Sequence, residues 1–260
     1  MKNFIKCISA FVTIALLLVG SLRLHPYYHL AKKQSMIKET ITNVSSDTLK
    51  IAFIGDSWAA YHHDYDKKLE LLFAEKLRPA HVVSLGNVGA KSREIYQRLY
   101  TTTKPILLEC PNYCVISAGI NDAVAKMGTD FYVHHYMLIL QQLLELHIKP
   151  VVLEMPGVNY RAIANREPWT MRMRHVLSSW MTGSELYGFE SYKKALIKAL
   201  QKANMQERIV YISADQWNPE GYRDQRNLYL PDEIHLNTEG YAVLDSCITS
   251  VVLGDLTQNQ

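Results

Sequence analysis

Ile51-Ala52-Phe53-Ile54-Gly55-Asp56-Ser57-Trp58 decides how the rest of this chain is read. The apolar run has the length and β-branched content of a buried strand, and Gly-Asp-Ser is the turn that ends it. A serine on a sharp turn at the C-terminal end of such a strand is open to loops arriving from neighbouring strands. In open α/β sheets, that crevice is where ligands bind.

From this point outward, strands and helices alternate. Strands are predicted at Lys50–Ile54, His81–Leu85, Tyr113–Ala118, Lys149–Met155 and Arg208–Ile212. Helical spacing falls at Tyr65–Leu77, Lys91–Tyr100, Phe131–His147, Tyr192–Ala203 and from Thr238 to about Val252. Such alternation predicts a parallel sheet covered on both faces. The stretch Gly157–Gly188 is too long for an ordinary connection. It contains a predicted short helix at Trp169–Trp180 and is the expected lid or substrate loop.

The chain has 260 residues, 48% hydrophobic and 20% charged, an ordinary globular composition. Its net charge of +3 is too small and too evenly spread for a nucleic-acid partner. Lys2 and Lys6 precede an apolar stretch from Cys7 to Leu22 that Arg23 closes. Residues 1–23 are therefore expected to be a signal anchor or signal peptide, with the anchor preferred because the cleavage pattern is weak. Residues 24–47 read as a linker, and 48–260 as one domain of about 210 residues. The basic start followed by an apolar run favours a domain outside the cytoplasm, membrane-anchored or secreted. Arg23, Lys32, Lys33 and Lys38 count against that orientation.

Later strand ends supply what a serine nucleophile needs. After the second strand comes Gly86-Asn87-Val88-Gly89-Ala90-Lys91-Ser92, whose backbone N–H groups can approach an oxyanion where no side chain intervenes. After the third comes Gly119-Ile120-Asn121-Asp122, which puts the Asn121 amide on the same edge of the sheet. Taken alone, either turn is an ordinary tight turn or helix cap. Downstream, Pro231-Asp232-Glu233-Ile234-His235 sets a carboxylate three residues before an imidazole, close enough to orient it. Asn237-Thr238 then caps the closing helix, with Glu239 in its first turn.

Together, these four blocks resemble the SGNH (GDSL-like) hydrolase family over nearly the whole of residues 49–252. The resemblance implies a flavodoxin-like three-layer α/β/α sandwich with a central, mainly parallel five-stranded sheet. It implies that Ser57 is the nucleophile, His235 the general base and Asp232 its orienting acid. The oxyanion hole would be the N–H groups of Ser57 and Gly89 with the side chain of Asn121. Trp58 stands where the family has leucine, a change bearing on packing or pocket shape, and Val88 where a small polar residue is often found.

The implied activity is serine-esterase hydrolysis of small acyl esters, O-acetyl above all, on an envelope or extracellular glycan. No cofactor or metal is implied, and the substrate contacts stay unassigned. An O-acyltransferase, a lipase or a thioesterase would use the same acyl-serine. A glycan-binding module on a decayed fold is disfavoured, because all the catalytic positions are kept.

Other residues are given plain roles. His62-His63-Asp64 is read as solvated or at a pocket rim, since adjacent histidines point in different directions. Trp169, Trp180, Trp217, Tyr160 and Tyr187 are read as core packing, those within 157–188 having the better claim to the site. Cys114 is expected to be a buried free thiol. A bridge from it to Cys110 would need a turn between them.

Overall fold

The computed structural model describes residues 2–24, 28–34, 48–223 and 225–258. Each expected apolar run forms a strand: β1 Leu49–Gly55, β2 Ala80–Gly86, β3 Tyr113–Ser117, β4 Lys149–Leu153 and β5 Val210–Ile212. All four pairings are parallel, in the order β2-β1-β3-β4-β5. Strands paired in parallel need a crossover between them, and right-handed crossovers fix the side on which each helix lies. The path runs one way from β1 to β2 and the other way thereafter.

The described helices, in chain order, are α1 Lys2–Leu24, α2 Ser57–His62, α3 Asp66–Glu75, α4 Ser92–Arg98, α5 Lys104–Leu108 and α6 Ile120–Val124. They continue with α7 Thr129–Glu145, α8 Tyr160–Arg166, α9 Trp169–Thr182, α10 Glu190–Lys202 and α11 Thr238–Gln258. The reversal of the path at β1 puts α3 on one face, where it packs with α11. On the other face α4, α7 and α10 pack together. The result is the expected three-layer sandwich.

Burial follows position in the sheet. Central β3 is buried throughout, as is β1 apart from a half-buried Lys50, whereas edge strand β2 is only partly covered. β5 is shorter than its sequence predicts. Arg208 N instead closes a turn on Met205 O, so the strand starts at Val210. The direction of the path changes between β1 and β3, and a crevice opens there at the C-terminal strand ends. Ser57 follows β1 and Asn121 follows β3, so both stand at this opening.

All four cysteines are free. Cys114 is buried in β3, where burial pushes its thiol pKa well up and makes it inert. Of the segment read as a linker, residues 28–34 are described, and they lie against the domain. Ala31 N donates to His135 Nε2 at 2.9 Å, and Gln34 N donates to the Tyr96 hydroxyl at 2.8 Å. Residues 25–27 and 35–47 fall outside the described residues.

The expected membrane anchor is not supported. Among the described residues, no helix is long and apolar enough to cross a membrane.

Candidate active site

Asp56 shapes the turn that carries Ser57. Its buried carboxylate accepts from Trp58 N at 3.0 Å, capping α2, and from Ser117 Oγ at 3.2 Å. Burial is the main cause that pushes its pKa up to about 7; the hydrogen bonds from Trp58 and Ser117 pull the other way. Ser57 thus opens α2 with its backbone N–H in the first turn, where helix amides lack an internal acceptor.

Ser57 Oγ lies 2.9 Å from His235 Nε2, although 178 residues separate them in sequence. His235 Nδ1 lies 2.6 Å from Asp232 Oδ2. The other oxygen of Asp232 accepts the backbone N–H groups of Ile234 and His235, each at 3.0 Å. Partial burial raises the Asp232 pKa, but these bonds and the imidazole outweigh it and hold the carboxyl below its ordinary range. It stays ionised as the acid partner of an imidazole must.

The loop bearing His235 is fixed from outside. Asn159 N donates to Glu233 O at 3.2 Å, and Arg166 Nη1 donates to Asp232 O at 2.9 Å. The Tyr61 ring, one turn after Ser57, packs edge-on against His235 with centroids 4.8 Å apart.

The glycine-rich turn is held as firmly. Asn87 N donates to Gly55 O, and Ala90 N closes the turn on Asn87 O, each at 3.0 Å. Gly89 has φ +77°, which L side chains rarely adopt, and space around it is open. Asn121 Nδ2 donates to Ala90 O at 3.1 Å, which orients the amide and uses one of its two hydrogens. Just beyond, Ser92 donates through N and Oγ to buried Asp122, at 2.9 and 2.6 Å. Burial lifts the Asp122 pKa to about 6.

The structure therefore links Ser57, His235 and Asp232 directly. It ties Asn121 to the Gly89 turn at the same sheet edge. Beside the Asp232 loop, a cleft of about 570 Å³ is bounded by Gly157, Asn159, Tyr187, Tyr222 and Arg226, among others.

The sequence matches the GDSL-like lipase/acylhydrolase family over residues 53–243. This chain belongs to that family. It is accordingly a hydrolase of ester bonds.

No curated protein matches the chain. Solved structures share its fold at low identity. An acetyl xylan esterase, AlAXEase, is 18% identical with a TM-score of 0.57, over 78% of this chain and 100% of that one. A variant of an acetyl-xylooligosaccharide esterase from Geobacillus stearmophilus is 13% identical with a TM-score of 0.54, over 78% and 94%. A lipase/acylhydrolase from Enterococcus faecalis is 18% identical with a TM-score of 0.53, over 80% and 96%.

Several expectations are corrected within this GDSL-like domain. His62 is neither solvated nor at a rim. It is fully buried, with Nε2 2.7 Å from Asp245 Oδ1 and Nδ1 2.8 Å from Ser84 Oγ and 3.2 Å from Asp66 Oδ1. Its neighbour His63 is exposed. Among the aromatics, Trp217 and Tyr160 pack in the core as expected, but Trp169, Trp180 and Tyr187 are exposed. Trp58 settles into the core at 5.9 Å from the Trp217 ring, so the departure from leucine serves packing rather than the pocket.

Burial disfavours the charged form of His62, yet its bonds to Asp245 and Asp66 outweigh that and raise its pKa. A raised folded-state pKa adds stability below the unfolded value, and that stability is lost as pH rises through the folded one. Asp245→Asn keeps an oxygen beside Nε2 but removes the carboxylate charge that favours the imidazolium. Its melting temperature should fall furthest below that of the unmodified protein at about pH 6, and the gap should narrow by about pH 9. A gap that widens with pH would show that His62 is buried neutral.

Proposed function

We propose that this GDSL-like hydrolase removes small acyl groups, acetyl foremost, from a glycan through an acyl-Ser57 intermediate. The continuous path from Ser57 Oγ through His235 to Asp232 is the observation that carries this. His235 Nε2 takes the hydroxyl proton as Oγ attacks the ester carbonyl, and Asp232 steadies the imidazolium that forms. The N–H groups of Ser57 and Gly89 and the amide of Asn121 receive the developing negative charge. The imidazolium gives its proton to the departing alcohol. The neutral imidazole then takes one from water as that water attacks the acyl carbonyl, and it passes this proton to Ser57 Oγ as the acyl–oxygen bond breaks and the acid leaves.

Two observations favour an acetylated sugar. Structural neighbours with this fold are named for acetyl xylan and acetyl-xylooligosaccharide. The cleft beside the Asp232 loop also offers tyrosine rings with arginine and asparagine edges, a surface that suits sugar faces and hydroxyls.

A series of p-nitrophenyl esters of rising chain length tests the acyl preference. The rate should be highest with acetate and fall with each longer chain, and a rise toward long chains would replace the deacetylase with a lipase. Incubation with an acetyl donor and a glycan should yield free acid, and an acetylated glycan would instead mark an acyltransferase.

Asn121→Ala removes one oxyanion donor and should lower kcat by about 10²–10³ with little change in KM. An equal loss confined to KM would place Asn121 in ground-state binding instead.

The domain is further proposed to lie outside the cytoplasm, on the strength of Lys2 and Lys6 ahead of the apolar run from Cys7 to Leu22 within α1. Protease added to intact cells should then degrade it, and full protection would place it inside.

A further inference from the structure

Helix α9 is built the wrong way round for a surface helix. Toward the domain it turns His175 and Ser178, both buried. Outward it turns Trp169, Met173, Val176, Leu177 and Trp180, which fall on one stripe at helical spacing. Trp169 is 69% exposed and Trp180 is 75% exposed. A soluble surface rarely keeps so large a contiguous apolar patch bare, so this face meets something apolar.

We propose that α9 lies in the headgroup plane of an anionic lipid bilayer, with this stripe sunk into the acyl boundary. Three observations choose lipid over a protein partner. The helix carries Arg172 and Arg174, one to each side of the stripe, and no Asp or Glu, a charge pattern that suits anionic headgroups. A tryptophan stands at each end of the stripe, and indoles settle where an apolar phase meets a wet one.

The third observation is a second apolar element attached at the same place. Helix α1 exposes Phe4, Phe11, Leu16 and Leu17, among others. It ends at Leu24, and Tyr28 is hydrogen-bonded to Ser178 on the inner face of α9 at 3.1 Å. Four residues of chain reach at most about 14 Å. Among the described residues, α1 and the outer face of α9 both present exposed apolar side chains and are joined by that short a length of chain, an arrangement that one continuous apolar phase serves together. The protein would lie on the membrane, a geometry that needs no spanning helix. The acyl-transfer chemistry is independent of this placement.

Tryptophan fluorescence of the full chain tests the proposal without interference from α1, which contains no tryptophan. Trp58 and Trp217 are buried, so a change in emission on binding reports Trp169 and Trp180. Vesicles of phosphatidylglycerol and phosphatidylcholine should shift the emission to the blue, and acyl-brominated lipids should quench it. Both effects should vanish in Trp169→Ser/Trp180→Ser, with esterase activity and circular dichroism unchanged. Arg172→Glu should raise the lipid concentration at half-binding about fivefold or more.

A chain that sediments with vesicles while its emission stays unshifted and unquenched would overturn the proposal, because α1 alone would then be engaging lipid. Absence of vesicle binding would overturn it as well. So would a blue shift that appears without lipid as the protein doubles in mass, which would assign the face to a second copy.

Discussion

Ser57→Ala should lower turnover of an activated acetate ester by roughly four to six orders of magnitude and abolish labelling by a fluorophosphonate. The hydroxyl oxygen is the only heavy atom lost. Ser57 is buried, and its Oγ is bonded to His235 Nε2. Losing one such bond costs about 1 kcal/mol of stability. In a domain of this size that lowers the melting temperature by only about 2–4 °C. The substitution therefore separates chemistry from folding. A variant that melts normally yet retains more than about a hundredth of the activity would remove Ser57 from the nucleophile's place.

Gly86→Ala should be nearly as damaging by the opposite route. A methyl group at Gly86 would overlap the backbone nitrogen of Ala60 and the backbone oxygen of Asp56. Neither can yield as a flexible side chain would, because both belong to the turn and helix that present Ser57. The strands must part, or α2 must move. Either response costs on the order of 3 kcal/mol or more, in the upper range for a single substitution. The melting temperature should drop by about ten degrees, and the remaining folded protein should label slowly with fluorophosphonate. Gly89→Ala makes the contrast, since space around Gly89 is open and only its backbone conformation resists. Equal melting temperatures for Gly86→Ala and the unmodified protein would mean that β2 and α2 are not in contact as described.

The sheet and the side chains gathered at its C-terminal edge were legible because local pattern and long-range order coincide in them. Apolar runs such as Tyr113–Ser117 are buried on both sides, and a parallel sheet requires that of its central strands. Each block that follows such a run sits at the C-terminal edge by topology alone, so Ser57, Gly89 and Asn121 could be placed there from the sequence, whereas Asp232 and His235 lie in a loop some way after β5.

What supports these residues was not legible, because it arises between segments that no periodicity connects. Asp56 and Ser117 meet only once β1 lies beside β3. Arg166 reaches the Asp232 carbonyl only because α8 follows β4. Tyr61 was within reach of sequence reasoning, since one helical turn separates it from Ser57, but the helix itself begins inside the motif and was not anticipated. Trp169 and Trp180 misled for a physical reason. Large aromatics are usually buried, and helical spacing says that they share a face without saying which way that face looks.

His62 and Trp58 set an order of events on the ribosome. Both belong to the helix that Ser57 opens, and both are tied to α11: His62 to Asp245, and the Trp58 carbonyl to the Tyr241 hydroxyl at 2.9 Å. Asp245 emerges 183 residues after His62. Until then the imidazole has no partner for its Nε2, and burying it alone is unfavourable. Ser57 is thus synthesised well before its helix can be seated, and His235 has also appeared by then. A nascent chain, or one cut short before Tyr241, should carry Ser57 on an unsettled helix and be inert toward esters, so hydrolysis waits for α11 to emerge and dock.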